Sequence, residues 1–183
     1  DVLYAIIEDA NPRKPTDQEA KRDAARPKPG EFVVGNHVYR TGDGGRTWRR
    51  THDASLSIGS KAAYSFNILR IDPGDSEHLV VLSDSMPNSS DGGRTWQGTS
   101  WPPKGMFEKA FGDFRVLWWD RQNPDRILAG SDGGFYASYD RGRTADHYMN
   151  IPVGEFYAVD TDMADPYHVY GGMQDHDSWK GPS

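Results

Sequence analysis

The sequence predicts an all-β repeat protein assembled from four-stranded antiparallel sheets, and three observations carry that reading. One eight-residue pattern recurs at a fixed spacing. Between its copies, short alternating apolar runs are punctuated by Asp–Pro and Gly-rich turns. The composition, 20 Gly, 12 Pro and 12% aromatics in 183 residues, suits a turn-rich β protein.

The first copy is Thr41-Gly42-Asp43-Gly44-Gly45-Arg46-Thr47-Trp48, and Ser89-Ser90-Asp91-Gly92-Gly93-Arg94-Thr95-Trp96 nearly repeats it. The third, Ser138-Tyr139-Asp140-Arg141-Gly142-Arg143-Thr144, runs into Ala145 where Trp is expected. The aspartates recur 48 and then 49 residues apart, a period that marks a repeat architecture. Each Asp is expected to accept a backbone N–H two residues on, closing an Asx turn. Gly45, Gly93 and Gly142 supply the positive φ such a turn needs. Trp48 and Trp96 are expected to bury about 150–250 Å² each and to pin the hairpin to its neighbour. Each copy therefore reads as a structural staple between two outer strands, not as a reactive site.

The supporting elements recur with the same period. Phe66-Asn67-Ile68-Leu69-Arg70-Ile71 alternates like a strand and meets the turn pair Asp72-Pro73, after which Glu77 to Leu82 forms the next strand. Phe114 to Trp119, Arg126 to Gly130 and Phe135 to Ser138 repeat the cycle. Phe156 to Asp160, the turn at Asp165-Pro166 and His168 to Gly172 begin it again. Strand, turn, strand, turn, strand, box, strand is the blade of a β-propeller. The spacing divides the chain into a partial blade at 1–55 carrying an inserted loop at 9–31, blades at 56–105 and 106–152, and a partial blade at 153–183. The chain begins and stops in strand-like segments and is expected to be a piece of a larger ring. Residues 11–30 are rich in Pro and charge. Thr16 to Arg26 is expected to form a short polar helix capped by Thr16 or Asp17, within a surface excursion that could meet a partner.

Bulk properties exclude several classes. A net charge of −6 leaves no basic field to displace phosphate counterions, so a dedicated nucleic-acid binder is not expected. No apolar run is long enough for a membrane helix. With no cysteine there is neither a disulfide framework nor a thiolate metal site. His147, His168 and His176 lack ligand spacing, so no metal is expected, and no motif calls for a cofactor.

The eight-residue pattern is the Asp-box, or BNR repeat, and the chain resembles the families that carry it. The stretches Asp132-Gly133-Gly134-Phe135-Tyr136, Pro152 to Asp160, Pro166 to Asp175 and Ser178 to Ser183 are similar to those of large exported bacterial proteins related to the sortilin propeller, many of them labelled glycosyl hydrolases. The likeness runs from about Phe32 onward. It implies a propeller, a secreted, periplasmic or cell-surface location, and a large parent chain as partner. Three positions depart from the pattern: Phe114-Arg115 replaces a His pair, His176 replaces Asn, and Ala145 replaces Trp.

Glycoside hydrolysis needs two carboxylates facing one sugar. Asp132, Asp113 and Asp175, each beside a turn near a strand end, are the candidates, and the turn at Asp132 resembles one in xyloglucan-cleaving propellers where a matching Asp is catalytic. A sialidase would need an arginine triad, which no spacing around Arg115, Tyr157 and Glu155 supports. Trp118, Tyr157 and Trp179 are candidate ligand-stacking faces; Trp101 and Trp119 compete for the same role, and inter-blade packing is the alternative for all of them. Two readings result: a binding or scaffold propeller recognising protein or glycan, and a glycoside hydrolase with paired Asp carboxylates.

Overall fold

The computed structural model describes residues 1–24, 32–60, 62, 64–99, 104–151, 154–174 and 177–182. Among the described residues, thirteen strands and one helix follow in chain order, and each sheet is an antiparallel meander of consecutive strands. Sheet one holds β1 (Leu3–Pro12), β2 (Val33–Thr41) and β3 (Arg49–Arg50). Sheet two holds β4 (Ile68–Asp72), β5 (Asp75–Leu82) and β6 (Asn88–Ser89). Sheet three holds β7 (Phe114–Trp119), β8 (Ile127–Ser131), β9 (Gly134–Ser138) and β10 (Asp146–Tyr148). Sheet four holds β11 (Phe156–Thr161), β12 (His168–Met173) and β13 (Ser178–Pro182). Successive small meanders, the first three laid one on another, are the blade order of a β-propeller.

Among the described residues, only sheet three reaches the expected four strands. In sheet two the fourth is a single bridge between Asn88 and Gln97.

Two apolar seams hold the first three sheets. Tyr4, Ile6 and Val38 of sheet one meet Leu69, Leu79 and Val81 of sheet two. Ile68, Val80 and Leu82, on the other face of sheet two, meet Leu117, Trp119, Ile127 and Tyr136 of sheet three. Alternation along each strand divides its residues between the two seams. Leu79, Val80, Val81, Leu82 and Ile127 are wholly buried, each contributing about 1.5–3 kcal/mol by leaving water. Arg40 crosses the first seam, donating to Tyr4 Oη at 3.0 Å and to Glu77 Oε1 at 3.1 Å.

The three Asp-centred turns share one hydrogen-bond set. The hydroxyls of Thr41, Ser89 and Ser138 donate to the aspartate Oδ1 and accept the N–H of Gly45, Gly93 and Gly142. Asp43, Asp91 and Asp140 accept the N–H and the hydroxyl of Thr47, Thr95 and Thr144. The aspartate thus reaches four residues on, not two, and the expected Asx turn is corrected. Two successive residues in the left-handed region, such as Gly44 (φ 74°) and Gly45 (φ 96°), fold the chain back far enough for that reach. In the third copy Arg141 takes the first of these positions at φ 62°, held by Asp125.

True Asx turns lie at the same end of the sheets, beside the boxes: Arg141 of the third box bonds to Asp125 in the turn after Asp120. Asp72, Asp120 and Asp162 accept N–H groups two residues on and pair with a basic side chain six residues on: His78 at 3.3 Å, Arg126 at 2.6 Å and His168 at 2.8 Å. The His168 and Ala164 N–H groups, with the His168 ring and Tyr170 hydroxyl, hold Asp162 down at about 2.

The insertion differs from its expected form in one respect. β1 continues to Pro12, past the expected strand end near Glu8, because the hairpin keeps pairing beyond an irregularity after Asp9. Helix α1 (Asp17–Asp23) follows, with Thr16 and Glu19 exchanging hydrogen bonds as a capping box. Residues 25–31 lie outside the described ones.

Candidate functional site

One end of sheets two and three gathers the polar groups that no staple uses. β7 begins there, β5 and β8 end there, and the turn at Asp132 joins β8 to β9. The segment before β7 is stitched to the turn after β5: Phe114 N–H donates to Ser83 O at 2.8 Å and Asp113 N–H to Asp84 O at 3.4 Å. Gly112 permits this approach, since a Cβ there would lie 2.3 Å from Asp84 O. Asp113 follows in the left-handed region, at φ 63°.

Arg115 stands at the centre. Its guanidinium lies over the Phe66 ring, 4.2 Å from the centroid, and donates to Ser65 O at 3.1 Å and to the Ser65 hydroxyl. Its Nε is 3.7 Å from Asp132 Oδ1. A cation fixed on an aromatic face and by a neighbouring loop loses little freedom when it meets a ligand. The Asp132–Gly133 turn is equally constrained. Gly133 N–H donates to Ser131 Oγ, His147 Nε2 donates to Gly133 O at 2.8 Å, and His147 stacks on Tyr136 with 4.4 Å between centroids. Phe111 packs on Gly133 so closely that a Cβ there would meet it at 2.3 Å, yet the ring remains about half exposed.

Asp113 and Asp132 thus share this end, and Asp132 faces a cation across an ion pair. Asp175 lies outside the described residues, as do Trp101 and His176; in sequence it comes two residues after β12, one further than Asp132 after β8. Asp84, in the same place after β5, went unnoticed in the sequence, although Ser83-Asp84 repeats Ser131-Asp132. The candidate aromatic residues lie elsewhere. Trp118 is half-exposed on the outer face of sheet three, and Tyr157 and Trp179 are exposed on sheet four. A shallow groove of about 240 Å³ lies beside Trp118, Ile71 and Arg70. A second, about 300 Å³, runs over Ala158, Gly172 and Ser178 beside Tyr170 and Lys180. Neither groove is lined by Asp113 or Asp132. Among the described residues, no group of three or more His, Asp or Glu side chains could hold a metal ion, and no helix is long and apolar enough to cross a membrane.

No known protein family matches the sequence, and no curated protein does. Among solved structures, the chain is similar to the GH74 xyloglucanase from Xanthomonas campestris at 18% identity and a TM-score of 0.48, covering 82% of this chain and 26% of that one. It is similar to the GH74 enzyme of Niastella koreensis at 16% identity and a TM-score of 0.41, covering 80% and 25%. A third likeness, at 16% identity and a TM-score of 0.42, is to YCF48 bound to D1 peptide, covering 82% of this chain and 50% of that one. The chain spans a quarter to a half of the length of these proteins.

Proposed function

We propose that the chain is part of an exported Asp-box propeller, related to the sortilin type, that binds a protein or glycan partner at the Arg115 end of its sheets. The observation that supports this best is the restraint on the two candidate carboxylates. Asp132 is opposite Arg115, and Asp113 is fixed in a left-handed turn stitched to Asp84. Carboxylates held in this way serve as fixed hydrogen-bonding and ion-pairing groups, as a recognition surface requires. A pre-set cation bordered by Phe66 and the half-exposed Phe111 suits recognition of a polar partner with apolar parts.

The test is a pair of measurements on the same preparation. Binding to β-glucan polysaccharides and to a peptide library is measured by calorimetry, and reducing-end release from the polysaccharides is followed in parallel. Binding without release, weakened about tenfold or more by Arg115→Ala, is the expected result, since charge-assisted hydrogen bonds contribute about 1.5–3 kcal/mol. Release abolished by Asp132→Asn or Asp113→Asn would establish the glycoside hydrolase reading instead.

A further inference from the structure

The groove between sheets two and three lies toward the end of β4 and β7 away from Arg115, and neither candidate carboxylate lines it. Its walls are Arg70, Ile71 and Pro73 from β4 and the turn after it, and Leu117 and Arg121 from β7 and the turn after it. β4 and β7 meet directly, and Leu117 and Trp119 are packed into the second seam. Both walls therefore belong to sheets fixed on each other. The space between them is shallow, about 240 Å³.

Charge sets this corner apart. The chain has a net charge of −6, yet both charged side chains on the groove are arginines, and both are exposed. The carboxylates of the two adjoining turns are engaged. Asp72 accepts the Gly74 N–H and pairs with His78, and Asp120 accepts the Gln122 N–H and pairs with Arg126. Asp75 accepts the Glu77 N–H, and Asp125 accepts from the Arg141 guanidinium. Arg70 donates to Leu69 O at 3.2 Å, and among the described residues no carboxylate pairs with Arg70 or Arg121.

Hydrogen bonding at the groove is as one-sided as charge. Arginine and tryptophan side chains only donate, and those of Ile71, Pro73 and Leu117 do neither, so the lining side chains present no acceptor. A matching ligand brings acceptors to the two guanidiniums and an apolar face to Ile71 and Pro73. Planar carboxylates meet a guanidinium fork through two parallel N–H donors. A peptide would also bring backbone N–H groups, which these side chains cannot receive. A sugar ring bearing a carboxylate has C–H faces for the floor, and its hydroxyls remain in the water of an open groove. We propose that this groove binds a polysaccharide of uronic acids, with carboxylates on Arg70 and Arg121, at a second site separate from the Arg115 end.

Calorimetry of the protein with a galacturonic acid hexamer at low salt tests this, with a β-linked glucose hexamer, poly-L-glutamate and dextran sulfate as comparisons. The galacturonate oligomer is expected to bind more tightly than the other three. Arg70→Gln and Arg121→Gln should each weaken it about tenfold, the loss of one charge-assisted contact. Arg49→Gln removes the same charge from exposed β3 of sheet one and is expected to leave binding unchanged. Because the chain as a whole is anionic, diffuse attraction to a polyanion does not supply this binding. No binding of galacturonate, or equal weakening by all three variants, would overturn the proposal. So would tighter binding of poly-L-glutamate, which would make the partner an acidic protein, or of dextran sulfate, which would make the recognised anion a sulfate.

Discussion

The turn around Gly45 and the turn around Gly142 make the same five hydrogen bonds, but their surroundings differ. Behind Gly45 nothing comes nearer than 3.9 Å to the place of a Cβ, and Trp48 beside it is nearly half exposed. Behind Gly142, Met106 lies at 2.9 Å, Phe107 N–H donates to Gly142 O, and Ala145 packs on the second seam. The middle copy is intermediate in kind: Gly93 meets Thr51 of sheet one at 2.7 Å, and Trp96 packs in the first seam. The motif therefore specifies the turn by itself, and its context decides how much of the fold depends on it.

The tryptophans break the equivalence most. Trp96→Ala removes an aromatic side chain that packs with Val38 and Leu79, and is expected to cost about 3 kcal/mol. Trp48→Ala loses chiefly its indole bond to Gly45 O, worth about 1 kcal/mol. Urea denaturation of the two variants measures the difference. Equal costs would mean that the indole–carbonyl bond, present in both copies, is the stabilising element.

The glycines sharpen the comparison on a smaller scale. All three sit at positive φ, between 82° and 96°, where a Cβ costs about 1–2 kcal/mol through strain alone. Gly45→Ala should cost that and no more. Gly142→Ala must also displace Met106 from the second seam, for a total of about 2–3 kcal/mol. Denaturation midpoints that fail to separate the two would show that Met106 yields freely.

How much of this was legible depends on range. The turns could be read because their five bonds lie within seven residues, and a local pattern of hydroxyl, Asp, Gly and Thr encodes all of them. The exposure of Trp48 could not, since it depends on which sheet lies behind the hairpin. The Asp72–His78, Asp120–Arg126 and Asp162–His168 pairs were missed although they recur at a fixed offset of six. The signal was there, but the partner changes between His and Arg and the eye follows Pro. At the candidate site, Asp113 and Asp132 were found at strand ends. Their neighbour Arg115 was read as a departure from a family pattern and weighed for a sialidase triad, but not as their partner, because Ser65 and Phe66, which fix it, lie about fifty residues away in the chain.

The smallest expected effect is set by pH and separates the two seams. His52 borders the first seam, edge-on to Trp96, and His37, next to Val38 on β2, lies with its ring 5.4 Å from that of His52. Both are held below the ordinary histidine value, chiefly by burial; Arg50 lowers both further, while Asp9 acts against this at His37 and Asp53 at His52. His52 Nε2 accepts the Val38 N–H at 3.1 Å, so a second proton on that ring would face a donor. A folded pKa below the unfolded one means that the unfolded chain binds more protons, and stability rises with pH across the interval. The contribution is complete above about 6.5 and is lost as pH falls through the lowered folded values. The turn aspartates act in a lower window. Asp43 is lowered chiefly by the Thr41 hydroxyl and Asp140 by the Thr144 N–H; at Asp91 burial pushes upward, but the bonds from Thr95 and Ser89 outweigh it. Their share is present above about 3.9 and is lost only as pH falls below it. Between pH 7 and 5 the first seam should loosen while the second holds. Amide exchange should then quicken in β2 and remain unchanged in β9. Equal quickening in both strands would show that the histidines act on the whole fold, and none in either that their burial carries no proton linkage.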